Sequence, residues 1–284
     1  MTASNPALLV AQSGGCTAAI NASLAGVVQQ ALAGAPIGPI LGARFGVEGI
    51  LQRRFLDLRA QEAGVWETIR RTPSAALGSG RRRLDAAERE QALDTLIELD
   101  VRYLLHIGGN DSADTALGLH EAARGRGYDL RVVAVPKTID NDLPGTDHCP
   151  GYGSAARFLA QTTQDAGLDT EAMRDSDPLK IIEVMGRDAG WLAAATTLGK
   201  REERDAPHVV CVPELPLAID AFIGAMEDAY RRFGHAVAVV AETVRDSEGR
   251  PLGRLNEVQS ADAFGHPVIA GAAQALSTMV GRAL

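Results

Sequence analysis

Short apolar runs recur along the chain and alternate with longer segments in which apolar residues repeat at helical spacing. The short runs predict strands at residues 7–11, 37–41, 103–107, 132–135, 180–185, 208–212 and 236–241. The longer segments predict helices at residues 18–31, 86–99, 113–123, 154–164 and 219–233. Strands that alternate with helices in this order favour an α/β fold with mainly parallel, doubly wound sheets.

The composition is that of a globular protein and argues against several classes. With 284 residues, 46% of them hydrophobic, the chain is long enough for a full core and for two domains. The formal net charge of −8 argues against a nucleic-acid-binding surface. Three widely spaced cysteines predict neither a disulfide framework nor a zinc site, and they favour a reducing cytoplasm. Neither an export signal nor an apolar run of about 18 residues is found, so membrane insertion is not expected.

Residues 136–142 follow directly on the predicted strand at 132–135 and contain Lys137, Asp140 and Asp142. Open α/β sheets bind ligands past the carboxyl ends of their strands, so we expect this segment to line a cleft. One carboxylate could accept a proton while the other holds a divalent cation, and the lysine could meet an anion. This combination favours phosphoryl transfer to a hydroxyl group. An Asp-Asn-Asp sequence alone is also common in turns that cap the following segment.

Three further segments combine glycine with groups that bind phosphate. Residues 13–15 join the first strand to the first helix, where their backbone amides could reach a phosphate, although glycine pairs also serve as plain tight connections. Residues 108–112 hold the same position after the strand at 103–107 and add the hydroxyl of Ser112. Residues 78–83 end in three arginines, which grip phosphate oxygens in a bidentate fork but are also common on solvated surfaces.

The sequence Pro-Lys-Thr-Ile-Asp-Asn-Asp at residues 136–142 resembles the active-site signature of the phosphofructokinase family, in the form typical of its pyrophosphate-dependent members. The resemblance implies that Asp140 is the general base toward the sugar hydroxyl and that Asp142 is the carboxylate at Mg²⁺. It also implies that Thr138 contacts the sugar phosphate and that Lys137 is the lysine of the pyrophosphate-dependent type.

Residues 108–112 are similar to the family's donor loop, which implies contacts of Gly109, Asp111 and Ser112 with the phosphoryl donor. Asp111 stands where ATP-dependent members have glycine. Its carboxylate would repel a nucleotide while leaving room for pyrophosphate. Asn110 replaces an aspartate that the family uses near the metal, so it offers the cation only a neutral carbonyl oxygen.

The remaining matches complete the two substrate sites. Arg81 matches the arginine of a Gly-Ser-x-Arg segment that contacts the donor in this family, and Gly15 lies in the glycine turn after the first strand. The implied contacts to the sugar phosphate are Met185, Gly186, Arg187 and Glu242.

These motifs are collinear from Ser13 to Glu242, so the resemblance spans nearly the whole chain. It implies two Rossmann-like domains of the phosphofructokinase fold: residues 1–150 for pyrophosphate and Mg²⁺, and residues 151–284 for the sugar phosphate. Family members continue past the helix predicted at 268–282 with a strand carrying a sugar-phosphate-binding arginine and then an Ile-Gln-Arg-Gly-Gly segment. We therefore expect the C-terminal part of the fold to be missing, through truncation or loss.

The resemblance implies reversible phosphoryl transfer from pyrophosphate to the 1-hydroxyl of fructose 6-phosphate, a step of glycolysis and gluconeogenesis. It implies Mg²⁺ as cofactor and a cytoplasmic homodimer or homotetramer, with no nucleic-acid or membrane partner. An ATP-dependent phosphofructokinase is one alternative, because the same heptapeptide occurs in some of those enzymes. A catalytically silent subunit that binds a sugar phosphate or an active partner is another, favoured by Asn110 and the expected missing part.

Overall fold

The computed structural model describes residues 5–34, 36–255 and 271–283. The chain divides into two compact units, Met1–Lys137 and Thr138–Leu284. Each unit has its own sheet and its own apolar core.

The first unit is a five-stranded sheet covered by helices. Its strands are β1 (Ala7–Gln12), β2 (Ile40–Ala43), β3 (Phe55–Asp57), β4 (Val101–Gly108) and β5 (Arg131–Pro136). Its helices are α1 (Ala18–Leu32), α2 (Val47–Leu51), α3 (Ala63–Arg71), α4 (Ala86–Glu98) and α5 (Asn110–Gly125). The strand order is β3-β2-β1-β4-β5, and all neighbours are parallel except the antiparallel pair of β2 and β3.

The alternation of side chains along β1 explains why both faces of this sheet are covered. Leu8 and Val10 pack in one core cluster with Leu24 of α1, whereas Leu9 packs in a second cluster with Leu93 of α4. Successive residues of a strand point to opposite faces, so an apolar β1 requires a helix layer on each side. Because β1, β4 and β5 run parallel to one another, their carboxyl ends share one edge of the sheet.

The second unit is built on three parallel strands in the order β6-β8-β7. These are β6 (Leu179–Val184), β7 (Val209–Cys211) and β8 (Ala236–Ala241). The helices are α6 (Tyr152–Ala172), α7 (Trp191–Ala195), α8 (Ile219–Phe233) and α9 (Ala272–Ala283), with short 3₁₀ helices at Thr196–Gly199 and Leu252–Leu255. All six residues of the central strand β8 are apolar and buried, which makes it the middle of this core.

The predicted fold class, α/β with mainly parallel sheets, is confirmed. The sequence pattern missed β3, α2, α3 and α7, and it ended α6 too early at residue 164. Of the helix predicted at 268–282, residues 268–270 lie outside the described residues, and the helix is described over Ala272–Ala283.

None of the helices in the described ranges is long and apolar enough to cross a membrane.

Candidate functional site

The glycine turn after β1 is held in place by the segment that precedes Arg81. Gly14 has a left-handed backbone with φ of +80°, which glycine adopts without steric cost. Its amide donates to the carbonyl of Gly80 at 3.2 Å, and the hydroxyl of Ser79 donates to the Gly14 carbonyl at 2.5 Å. The segment that carries Arg81 is therefore fixed against the turn that contains Gly15.

Lys137 directly follows β5 and is buried, with 6% of its surface exposed. Its backbone amide donates to the carbonyl of Gly108 at 2.8 Å. A methyl group built on Gly14 would lie 3.4 Å from Lys137 Nζ and 3.9 Å from the amide nitrogen of Gly109, and one built on Gly15 would lie 3.9 Å from the same Nζ. The structure therefore brings together the ammonium group, the glycine turn and the start of the donor loop.

The donor loop passes directly into α5: Gly108 ends β4, Gly109 is the N-cap, and residues 110–112 form the first turn of the helix. Asn110 is the first helical residue and is exposed, Asp111 is half-buried, and Ser112 is 6% exposed. The sequence pattern predicts this helix from residue 113, after the loop, whereas it begins at Asn110. A helix N-terminus attracts anions through its unsatisfied amides, and the carboxylate of Asp111 in that first turn offsets part of this attraction.

A row of buried polar groups behind this loop was missed by the sequence analysis. His106 of β4 is 2% exposed, and its Nε2 lies 2.9 Å from Ser13 Oγ, which lies 2.5 Å from Ser112 Oγ. Burial lowers the pKa of His106 to about 4, so its imidazole is neutral near pH 7. The sequence does offer one indication of this row: His106 is a histidine within an apolar strand, two residues before Gly108 of the donor loop.

The three arginines of residues 81–83 have different surroundings. Arg82 forms a salt bridge with Glu88, and Arg83 Nη2 lies 3.4 Å from Asp114 Oδ2. Arg81 is exposed and is the residue next to Gly80. Of the three, Arg81 is thus the one that directly follows Gly80, whose carbonyl accepts from the Gly14 amide. Its contact with the phosphoryl donor stays a prediction.

The loop that starts the second unit is organised by Asn141. This residue is 4% exposed and has a left-handed φ of +59°. Its Nδ2 donates to the Asp147 carbonyl at 3.2 Å, and its Oδ1 accepts from the Cys149 amide at 2.8 Å. Asparagine tolerates the left-handed region better than most residues, so the Asp-Asn-Asp sequence suits this turn.

Thr138, Asp140 and Asp142 lie on the same loop. The Asp140 amide donates to Thr138 Oγ1 at 3.1 Å, and Thr138 pairs with Gly151 in a parallel β-bridge. The Oδ1 atoms of both aspartates are buried from solvent. Carboxylate oxygens are the ligands that Mg²⁺ prefers, and one or two of them suffice when substrate phosphates and water complete the shell. The donor chemistry of this loop therefore fits Mg²⁺, although the described residues contain no cluster of three metal-ligating side chains.

Four of the predicted sugar-phosphate residues lie at the carboxyl ends of β6 and β8: Met185, Gly186, Arg187 and Glu242. Glu242 follows β8, and its Oε1 accepts from the Arg187 amide at 3.0 Å. Gly186 and Arg187 have φ of +144° and +49°, and a methyl group on Gly186 would lie 2.5 Å from the Ala189 carbonyl oxygen. Met185 is 59% exposed. This strained turn presents Met185 and Arg187 beside Glu242, as expected of a binding loop on a rigid sheet.

A family model described as "Phosphofructokinase" matches residues 7–281. The chain belongs to the phosphofructokinase family. The family membership predicted from the motifs is thus confirmed.

Within the phosphofructokinase family, the similar proteins include two named "Pyrophosphate--fructose 6-phosphate 1-phosphotransferase". The one from Xanthomonas campestris pv. campestris (strain B100) is 42% identical over 97% of this chain and 66% of its own length. The one from Rhodospirillum rubrum is 39% identical over 93% of this chain and 65% of its own length. This phosphofructokinase chain therefore spans just under two thirds of the length of these relatives.

Among solved structures, the chain is similar to a pyrophosphate-dependent phosphofructokinase from Nitrosospira multiformis. The TM-score is 0.84 at 35% sequence identity, over 98% of this chain and 66% of the solved one. This likeness supports the phosphofructokinase fold for both units.

Proposed function

We propose that this chain carries out the reaction of a pyrophosphate-dependent phosphofructokinase. In that reaction a phosphoryl group passes reversibly from pyrophosphate to the 1-hydroxyl of fructose 6-phosphate, giving fructose 1,6-bisphosphate and phosphate. The observation that carries the proposal is the Lys137 ammonium group beside the glycine turn and Gly109, next to a helix whose first turn holds Asp111. A cation and backbone amides suit a compact anion, and the extra carboxylate disfavours a nucleotide.

On the donor side, Lys137, the amides near Gly15 and Gly109, and the Ser112 hydroxyl would bind pyrophosphate. Positive charge and N–H donors fixed in advance stabilise the charge that spreads over the transferring group. Arg81 would contact the leaving phosphate from the neighbouring segment. These residues belong to the proposed donor region, residues 1–150.

On the acceptor side, Asp140 would take the proton of the sugar's 1-hydroxyl as its oxygen attacks phosphorus. The bond between that phosphorus and the bridging oxygen breaks, and the electron pair leaves with phosphate. Thr138, Met185, Gly186, Arg187 and Glu242 would bind the sugar phosphate, the last four in the proposed sugar-phosphate region, residues 151–284. Asp142, and Asn110 through its amide oxygen, would hold Mg²⁺. When bound, Mg²⁺ neutralises charge on the phosphates.

We also propose a cytoplasmic homodimer or homotetramer. All three cysteines are free thiols, two of them buried, which suits a reducing compartment.

To test the proposal, purified protein is incubated with fructose 6-phosphate, Mg²⁺ and either pyrophosphate or ATP. The rate at which fructose 1,6-bisphosphate forms is then measured. We expect product from pyrophosphate and little from ATP. Faster turnover with ATP would overturn the donor assignment. Binding of both substrates without turnover in either direction would favour the silent subunit, a second candidate that rests on the neutral Asn110 where the family uses aspartate.

A further inference from the structure

Three polar side chains form a continuous hydrogen-bonded row inside the first unit. His106 Nε2 contacts Ser13 Oγ at 2.9 Å, and Ser13 Oγ contacts Ser112 Oγ at 2.5 Å. All three residues are buried, with exposed fractions of 2%, 8% and 6%. Burying polar groups costs free energy unless they form hydrogen bonds. The two hydrogen bonds of this row therefore offset the cost of burying its three side chains.

The neighbouring backbone leaves room for this row. In the sheet register, His106 lies between Ala11 of β1 and Ala134 of β5, two small residues beside a large ring. A methyl group on Gly108 would lie 2.0 Å from Ser112 Oγ and 2.8 Å from Ser13 Oγ. Glycine at position 108 is therefore needed for the two serines to meet.

The direction of the hydrogen bonds depends on the tautomer of His106. Each serine has one proton to donate. If Nε2 lacks a proton, Ser13 must donate to His106 and Ser112 must donate to Ser13, so no hydroxyl proton is left for a ligand. If Nε2 carries the proton, His106 donates to Ser13, and the Ser13 hydroxyl is then able to donate to Ser112. In that arrangement the Ser112 proton is left for an acceptor outside the row.

The surroundings of Ser112 favour the second arrangement. Ser112 lies in the first turn of α5, beside Gly109 and the turn against which the Lys137 ammonium group lies. These groups attract anions, and an anionic oxygen accepts hydrogen bonds but cannot donate them. A bound phosphate would therefore select the arrangement in which Ser112 donates.

We propose that His106 is a positioning residue for the phosphoryl donor: as the Nε2–H tautomer it orders the hydroxyls of Ser13 and Ser112 so that Ser112 donates to a phosphate oxygen. The inference rests on the proposed function, because it takes pyrophosphate as the anion. It adds to that function a residue that touches neither substrate.

The first experiment compares pyrophosphate binding by wild type, H106L and H106Q, using calorimetry. Leucine removes the hydrogen bond, whereas glutamine retains an N–H donor on a side chain of similar reach. We expect H106L to bind pyrophosphate about 10-fold or more weakly, the effect of a lost hydrogen bond to a charged group. H106Q should stay within about threefold of wild type, and fructose 6-phosphate affinity should not change. Unchanged pyrophosphate affinity in folded H106L would overturn the inference.

S112A provides a second route if H106L does not fold, as judged by circular dichroism. S112A should weaken pyrophosphate binding as H106L does, and combining it with H106Q should add little, because both changes act on one row. Equal pyrophosphate affinities of S112A and wild type would overturn the inference.

The tautomer is measured directly by ¹⁵N NMR of histidine-labelled wild type. An Nε2–H imidazole at His106 supports the proposed direction, and an Nδ1–H imidazole overturns it. Wild-type protein that binds no pyrophosphate would overturn the proposed function instead, and the NMR result would then decide the direction of the row on its own.

Discussion

Asn141 offers a sharp test of how the loop with the two aspartates is held. In N141A the new side chain must adopt a φ near the native +59°, which costs a non-glycine residue about 1 kcal/mol. The buried Cys149 amide also loses its acceptor at 2.8 Å, at a cost of about 1–3 kcal/mol. We therefore expect N141A to lower the free energy of unfolding by about 2–4 kcal/mol.

N141G is the matched control. Glycine loses the same hydrogen bonds but adopts the left-handed backbone freely, so N141G should be the more stable variant by a few tenths to about 1 kcal/mol. Urea denaturation followed by circular dichroism measures both values. Equal stabilities of N141A and N141G, or an N141A within about 0.5 kcal/mol of wild type, would refute this account of the loop.

The same variants report on catalysis. If Asn141 keeps Asp140 in its reactive position, N141A should lower kcat about 100-fold, the typical effect of a misplaced catalytic group. Pyrophosphate affinity should change little, since its proposed ligands lie in the first unit. An unchanged kcat would show that the loop keeps its geometry without this side chain.

Three further predictions address the proposed roles and the buried histidine. D140S should lower kcat by about 10²–10⁴, the range for a lost general base, while calorimetry still detects pyrophosphate binding; normal turnover would exclude the role. D111G should allow the protein to use ATP as donor, and a variant that still rejects ATP would remove Asp111 as the discriminating residue. The third concerns pH. Burial lowers the pKa of His106 from its ordinary value of 6.5 to about 4, so the unfolded chain binds the proton first, and stability falls as the pH drops from about 6.5 to 4. In urea denaturation, the free energy of unfolding of wild type should fall by up to about 3 kcal/mol more than that of H106Q across this pH range. If the free energies of the two proteins depend on pH in the same way, burial of a neutral His106 is contradicted.

The sequence predicted those parts of the site that are local in the chain. The turn at residues 13–15, the donor loop at residues 108–112 and the loop after β5 each follow a strand, and apolar runs locate strands well. The meeting of Lys137 Nζ with the glycine turn could be expected from these strand ends alone, because β1, β4 and β5 end at one edge.

What the sequence did not reveal depends on contacts between distant residues. Ser13 and His106 are 93 positions apart, and no local pattern reports that their side chains meet. The early end predicted for α6 has a similar cause. The predicted helix stops at residue 164, whereas α6 continues through Gly167, where a methyl group would lie 2.5 Å from Ala206 Cβ. A glycine needed for close packing looks, in sequence, like a glycine that ends a helix.

The position of β8 in the middle of its sheet has a consequence for local opening in the second unit. Its amides are buried and bonded on both sides, so β8 should exchange hydrogen with solvent most slowly in this unit. Glu242 directly follows this protected strand. Arg187 comes soon after β6, a half-buried strand for which residues 138–255 and 271–283 provide one partner strand, β8. Opening of β6 would release Arg187 and leave Glu242 in place, so the two sides of the proposed sugar-phosphate turn differ in the free energy needed to release them.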